Sequence, residues 1–194
     1  MKNLIFATNN LNKVVEIRSV LGNSFKILSL AEAGINIDIP EPYQTLEENA
    51  IEKSNVIYNL KNTACFAEDS GLEVHALNGE PGVKSARYAG DGRNFDENIT
   101  KLLHNLTGIE DRSAQFKTVI CLTIDGKHNI FEGICEGNIT KERRGHEGFG
   151  YDAVFIPNGS LKTFGEMSLP EKNIFSHRRQ ATEKLIAYLQ SIEV

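Results

Sequence analysis

Glu68 and Asp69 stand side by side at the end of the apolar run Thr63-Ala64-Cys65-Phe66-Ala67, with Ser70-Gly71-Leu72 behind them. Paired carboxylates can hold a hard cation or accept a proton from water, and small residues beside them let a ligand come close. A strand running into this acidic turn would present both acids to a cleft. The residue types serve a solvated turn equally well, since loop acids are the ordinary case. The weight of the pair therefore depends on the other groups the chain brings to it.

Several stretches could supply them. Thr8-Asn9-Asn10-Leu11-Asn12-Lys13 is a polar loop between an apolar run and a helical pattern. Backbone N–H groups and the helix dipole favour an anion at such a place, and Lys13 adds a point charge. It lacks the glycines and the Lys-Ser/Thr pair of a Walker loop, and a plain capping loop with a surface lysine reads the same way. Glu41, fixed between Pro40 and Pro42, could join Glu68 and Asp69 around one cation; singly it is a loop acid. Asn49 and Lys53 are four apart and share a helical face, either completing a polar cluster or facing solvent. The run Arg143 to Asp152 sets Gly145, Gly148 and Gly150 around Phe149 and Tyr151, which suits a planar ligand reaching backbone and stacking on a ring, or a tight loop over a core phenylalanine. Lys172 and Ser176-His177-Arg178-Arg179 gather cations at a helix N-terminus. They oppose the dipole there, a conflict that a bound anion or base carbonyls would relieve; a solvated basic cap is the alternative. His75, His104 and His128 are given no role.

The elements that must position these groups read as α/β. Leu4-Ile5-Phe6-Ala7 is a continuous apolar run, hence a strand buried on both faces. Val14, Ile17, Val20 and Leu21 then repeat at helical spacing up to Gly22, and Phe25 to Leu30 is the next strand, so the chain opens with a βαβ unit. The prolines keep Ile35 to Tyr43 extended. Thr45-Leu46-Glu47-Glu48 is a capping box for a helix running to about Leu60, and Asn94-Phe95-Asp96-Glu97 is a second, opening a helix with the stripe Ile99, Leu102, Leu103, Leu106 that closes near Gly108. Gly79-Glu80-Pro81-Gly82 and Gly90-Asp91-Gly92 are turns. Ser113 to Ile124 alternates, Asp125-Gly126 is a hairpin turn, and His128 to Ile139 returns as the partner strand. So long a hairpin needs covering, which points to a mixed sheet or a second lobe. Ala153 to Ile156 is another strand, and a last helix from near Ser176 buries Ala181, Leu185, Tyr188 and Leu189.

The 194 residues suit one large domain or a domain with a small lobe. A net charge of -5 argues against a bulk electrostatic grip on nucleic acid. Cys65, Cys121 and Cys135 form no CxxC pair and lie in apolar runs, which reads as reduced buried thiols of a cytoplasmic protein rather than a zinc site. The apolar run after Met1 is too short for a signal peptide, and no stretch approaches the roughly 20 apolar residues of a membrane span.

From Thr8 nearly to the C-terminus the chain resembles the non-canonical purine nucleoside triphosphate pyrophosphatases, the inosine triphosphatase or XTP/dITP diphosphatase family. The resemblance rests on six motifs in order: Thr8 to Lys13; Glu48-Asn49-Ala50 with Lys53; Glu68 to Leu72; Pro81-Gly82 with Ser85-Ala86-Arg87-Tyr88; Gly148 to Asp152; and Ser176-His177-Arg178. Ala153 stands where the family usually has proline and Leu46 where it usually has phenylalanine. The resemblance implies a single domain over 1–194, with a long central mixed sheet and two lobes flanking an active-site cleft. It also implies a homodimer and a Mg²⁺ cofactor. It implies that Thr8, Asn9, Asn10, Leu11, Asn12 and Lys13 bind the triphosphate. Asp69 would be proton acceptor and metal ligand, and Glu41 a second metal ligand. Ser70 would touch substrate; Phe149, Gly150, Tyr151 and Asp152, with His177 and Arg178, would hold the purine, and Lys172 would also contact it. Glu68, Asn49, Lys53 and Arg87 are supporting candidates. The choice of base between Asp69 and Glu68 is left to the resemblance, which favours Asp69. The implied reaction hydrolyses ITP, dITP or XTP to the monophosphate and pyrophosphate. A pyrophosphatase for modified pyrimidine triphosphates and a non-catalytic nucleotide-binding module are the alternatives.

Overall fold

The computed structural model describes residues 2–21 and 25–192. Gly22, expected to end the first helix, lies outside the described residues. Strand β1 (Lys2–Phe6) leads through a short loop to helix α1 (Leu11–Leu21), and β2 (Phe25–Leu28) returns parallel to β1. This is the expected βαβ opening. Helix α2 (Leu46–Lys61) precedes β3 (Cys65–Val74), which also runs parallel to β1, pairing Ile5 with Cys65 and Phe6 with Phe66. The short β4 (Pro81–Gly82) pairs antiparallel with β3. Helix α3 (Phe95–Asn105) follows, then the long hairpin of β5 (Ser113–Ile124) and β6 (Lys127–Ile139), and β7 (Phe155–Pro157) antiparallel to β6. Helices α4 (Leu169–Phe175) and α5 (His177–Ile192) complete the chain. The strand order is β2-β1-β3-β5-β6-β7, with β4 beside β3, a mixed sheet.

The chain divides into two compact units. The first comprises Met1–Asp69, Thr118–Gly133 and Arg178–Val194; the second comprises Ser70–Lys117 and Ile134–His177. In the first unit the pleat of β1 sends Leu4 and Phe6 to one face and Ile5 and Ala7 to the other. Leu4 and Phe6 join Val14, Ile17 and Leu21 of α1, Phe66, and Ala181, Leu185 and Leu189 of α5. Ile5 and Ala7 join Ile57 of α2, Leu30, Ile35, Cys65 and Ala67. A strand buried on both faces has no polar face, which is why its sequence is continuously apolar. Phe6 and Phe66 stack at 4.5 Å between adjacent parallel strands. Each such side chain stabilises the fold by roughly 1.5–3 kcal/mol. In the second unit, Leu72 and Val74 of β3 pack with Ile99 and Leu102 of α3, with Leu106 just after it, and with Phe116, Phe155 and Phe164.

The expected helix starts hold because their caps are local. Thr45 accepts from the Glu48 backbone N–H at 3.2 Å and its hydroxyl donates to the Glu48 carboxylate at 2.6 Å. Asn94 accepts from the N–H groups of Asp96 and Glu97. Asn62 in the left-handed region (φ 47°) closes α2. The Asp125-Gly126 hairpin turn has positive φ at both residues, as a type I′ turn demands.

The structure departs from the sequence reading in five places, one being that Ala153 and Val154, expected to open a strand, belong to a 3₁₀ turn (Asp152–Val154) ahead of β7. The acidic stretch is not a turn at a strand end: Glu68, Asp69, Ser70 and Gly71 lie inside β3. Gly71 is there for a close approach, since a Cβ on it would lie 2.5 Å from the Gly82 carbonyl oxygen of β4. Helix α1 begins at Leu11, so Leu11, Asn12 and Lys13 form its first turn rather than a loop. The Asn10 side chain terminates that helix by accepting from the N–H groups of Asn12 (3.0 Å) and Lys13 (3.3 Å). Val20 and Tyr188 are half-buried rather than core. Helix α4 was not expected, although Ser168-Leu169-Pro170-Glu171 writes a capping box that the structure forms.

Candidate active site

The strand order places β1 between β2 and β3, and the chain leaves β1 through α1 toward β2. The carboxyl end of β1 beside β3 is thus a topological switch point, where α/β sheets leave a crevice for ligands. Strand β3 continues past the last β1 pair at Phe66, carrying Glu68 and Asp69 to this end. The loop after β1 is built from its own hydrogen bonds. The Thr8 N–H donates to the Phe6 carbonyl (2.7 Å), the Asn10 N–H to the Thr8 hydroxyl (3.1 Å) and the Asn9 amide to the Ile37 carbonyl (3.1 Å). The backbone donors of Thr8, Asn10, Asn12 and Lys13 are thereby engaged within the protein, and Lys13 is the group of this stretch that brings charge.

The pleat separates the two acids. Asp69 continues the face of Cys65 and Ala67, toward α2; Glu68 continues the face of Phe66, toward α1 and α5. On the α2 face, Lys53 Nζ donates to Asp69 Oδ1 at 3.0 Å and to Glu41 Oε1 at 2.9 Å. Asn49, one turn before Lys53 and fully buried, accepts from the Tyr43 N–H (2.9 Å) and donates to the Tyr43 carbonyl (3.1 Å). It fixes the segment that carries Glu41. The face shared by Asn49 and Lys53 is therefore buried. On the other face, Arg178 donates to both oxygens of Glu68 (2.9 and 2.8 Å), a bidentate pair, and also to Glu16. Lys13 Nζ stands 3.4 Å from Glu68 Oε1.

Electrostatics follow from burial. Desolvation raises the Asp69 carboxyl above its ordinary range, and Lys53 and Lys13 pull it back only in part, with Glu41 adding to the rise. Burial lowers the Lys13 ammonium, with Glu68 opposing and Lys53 and Arg178 assisting. Burial also works against the charge on Lys53, but Asp69 and Glu41 outweigh it and the ammonium ends raised. Arg178 is likewise desolvated and held charged by Glu68 and Glu16. Lys13, Lys53 and Arg178 face Glu16, Glu41, Glu68 and Asp69, three cations against four carboxylates.

A single cation gripped by Glu41, Glu68 and Asp69 together is not what the structure holds. Among the described residues no three His, Cys, Asp or Glu side chains converge closely enough for a metal, because Glu68 points away from the other two. Glu41 and Asp69 do converge, each within 3.0 Å of one Nζ atom. Two hard carboxylates, with phosphate oxygens and water, are the donor set Mg²⁺ ordinarily takes, so this pair fits the ion.

The second unit carries the glycine-aromatic stretch. Asp152 Oδ2 accepts from the Phe149 N–H (2.9 Å) and from Lys172 Nζ (2.5 Å), and Lys172 and Asp152 are both buried. Gly148, at φ 75°, is required here: a Cβ on it would meet Asp152 Oδ2 at 2.0 Å. Lys172 Nζ also lies 5.3 Å from the Phe149 ring centre, and Phe149 is half-buried. Tyr151 turns inward instead, its hydroxyl donating to the Ser85 carbonyl at 2.9 Å, and burial raises that phenol. His177 is buried and stacks on Phe116 at 4.7 Å with 8° between the rings. Ser70 and Arg87 are half-buried, Arg87 closing the 3₁₀ turn Ser85–Arg87.

Of the cations before and in the last helix, Lys172 and Arg178 are buried rather than part of a solvated cap, while Arg179 sits in an exposed pair. Lys172 pairs with Asp152, Arg178 with Glu68 and Glu16, and Arg179 with Glu183. Glu16 is the residue the sequence reading missed. Its signal is an acid inside the apolar stripe of α1, next to Ile17 and one turn after Lys13.

A profile of the Ham1 family matches residues 4–188. The dITP/XTP pyrophosphatase of Flavobacterium psychrophilum is 52% identical over 97% of this chain and 99% of its own. The dITP/XTP pyrophosphatase of Christiangramia forsetii is 50% identical over 96% and 98%. Among solved structures, the Ham1 protein of Staphylococcus aureus superposes with a TM-score of 0.88 at 39% identity, covering 97% of this chain and 98% of that one. A HAM1 protein from Coxiella burnetii gives 0.89 at 37%, covering 98% and 100%.

Proposed function

The chain belongs to the Ham1 family, and from that premise we propose that it hydrolyses non-canonical purine nucleoside triphosphates such as dITP and XTP to the monophosphate and pyrophosphate. The observation that carries this reading is the Glu41–Lys53–Asp69 bridge beyond the carboxyl end of β1, where β3 runs on past it, with Lys13 at the N-terminus of α1 beside it. Acids gathered next to cations suit a reaction in which a polyanion is bound and water is activated.

Asp69 accepts a proton from water as its oxygen adds at phosphorus, and the anhydride bond between the α- and β-phosphates breaks. A carboxyl raised above the usual range is better matched to this work near neutral pH than an ordinary aspartate. Glu41 and Asp69 hold Mg²⁺, which neutralises phosphate charge when bound. Lys13 and Lys53 stabilise the charge that accumulates on departing pyrophosphate, and Thr8 to Asn12 shape the phosphate site. Ser70 touches substrate. Phe149, Gly150, Tyr151, Asp152, Lys172 and His177 form the purine site, with Tyr151 and Asp152 shaping it from within. Hypoxanthine and xanthine carry an acceptor oxygen at C6 where adenine carries a donor. A donor kept for that oxygen discriminates by up to about 10⁴-fold when left unsatisfied. Arg178 supports Glu68, and Arg87 assists in binding.

The enzyme works on free nucleotides in the cytoplasm as a homodimer. The three free, buried cysteines agree with a reducing compartment. No described helix is long and apolar enough to cross a membrane. The test is incubation with ITP, dITP, XTP, GTP and ATP plus Mg²⁺, with the products resolved. Pyrophosphate and monophosphate from the first three are expected; orthophosphate as the initial product, or equal rates on ATP, would overturn the reading.

A further inference from the structure

Glu16 sits on α1, three residues after Lys13, and is buried although it is charged. An isolated buried carboxylate is costly, so such a group persists only with a cationic partner. That partner is the guanidinium of Arg178, which Glu16 engages through Nη1 while Nε and Nη2 clasp Glu68. Glu68 in turn stands 3.4 Å from Lys13 Nζ. The four side chains form a chain from α1 through α5 and β3 back to α1, buried up to the half-buried Lys13, with cations and anions alternating.

We propose that Glu16 is a positioning residue for triphosphate binding: through Arg178 it fixes the Glu68 carboxylate, and through Glu68 it sets where the Lys13 ammonium is held. The proposal rests on the pyrophosphatase reading above. A guanidinium fork clasped on one side by Glu68 can still pivot about that pair; a second carboxylate on Nη1 removes the freedom. The Glu68 oxygens then cannot follow the Lys13 ammonium if it moves, so the ammonium stays where phosphate must find it. The charge of Glu16 has a second effect. Lys13 is faced by Glu68 and Asp69 of β3, Lys53 of α2 and Arg178 of α5. Without the Glu16 charge, Arg178 acts on Lys13 less compensated, and Lys13 loses its proton at lower pH.

The experiment is steady-state kinetics on dITP with Mg²⁺ as a function of pH, for wild type, Glu16→Gln and Glu16→Asp, each checked by circular dichroism. Glu16→Gln is expected to raise KM about tenfold with kcat within about threefold, and to move the basic limb of kcat/KM to lower pH. Glu16→Asp, which keeps the charge, is expected to return the limb to its wild-type position and most of the KM. Loss in kcat at unchanged KM, or a basic limb that does not move, would overturn the proposal. If Glu16→Gln does not fold, Arg178→Lys keeps the charge but loses the fork and must raise KM in the same way; a wild-type KM there also overturns it. Absence of pyrophosphate with the wild-type protein would instead refute the underlying activity, so the two failures are distinguishable.

Discussion

Glu68 and Asp69 are adjacent in sequence and face opposite sides of β3, Glu68 bonded to Arg178 and Asp69 to Lys53. The pleat gives two identical functional groups different surroundings. Asp69 shares its cation with one further acid, Glu41, and burial raises its carboxyl. Glu68 is held in a bidentate pair with Arg178 as part of the frame.

Substituting the two acids should therefore have different consequences. Asp69→Asn is expected to lower kcat by about 10²–10⁴-fold while leaving the circular dichroism spectrum unchanged. Activity within about tenfold of wild type would reassign the base.

Glu68→Gln strikes the frame instead. It leaves the buried Arg178 with Glu16 as its remaining carboxylate among the pairs described here, and about 3 kcal/mol of stability should be lost, read by urea unfolding. An unchanged midpoint would mean that the Arg178 pair contributes little to the fold.

The burial of Asp69 is testable without metal. Desolvation holds its carboxyl above the ordinary 3.8 in the metal-free protein, so on lowering the pH it should take up its proton earlier than an ordinary aspartate, read by NMR titration of the side-chain carbon. Lys53→Met removes the largest influence opposing that rise, so the titration should move higher still; a titration moving lower would contradict the assignment.

Chelation tests the metal. EDTA should abolish turnover and Mg²⁺ restore it, and Glu41→Gln should raise the Mg²⁺ concentration needed for half-maximal rate by about tenfold, since one of two carboxylates is lost. A rate indifferent to EDTA would remove the cation from the site.

Gly71→Ala should cost about 1–3 kcal/mol without removing a polar group, because the new methyl would stand 2.5 Å from the Gly82 carbonyl oxygen. Thermal unfolding measures it, and a melting temperature equal to wild type would mean that β4 moves aside freely.

What the sequence made legible was local. Thr45 and Asn94 fix helix starts through bonds to residues two or three away, and Asp125-Gly126 fixes the hairpin by backbone conformation alone. The two-sided burial of β1 was readable because a strand without a polar face needs no alternation. Gly71 reads in the sequence as room for a ligand, but what it accommodates is the backbone at Gly82, which arrives from a separate strand. The cations of the last helix looked unbalanced because their acids lie far away in sequence: Arg178 meets Glu68 at a separation of 110 residues and Glu16 at 162. Spacing rules reach one helical turn or one hairpin; these pairs are set by tertiary packing.

The Asn49 clasp on Tyr43 has a chemical consequence. Among side chains of that length only an amide both donates and accepts at its tip, so it alone can serve an N–H and a carbonyl of one residue at once. Hydrolysis of that amide to a carboxylate would leave the atoms in place but set oxygen against the Tyr43 carbonyl, turning one attraction into a repulsion. The segment bearing Glu41 would then loosen with age rather than by mutation. The location of Asn49 within the rigid turns of α2 slows this ageing, because the backbone there cannot fold back onto the amide carbon.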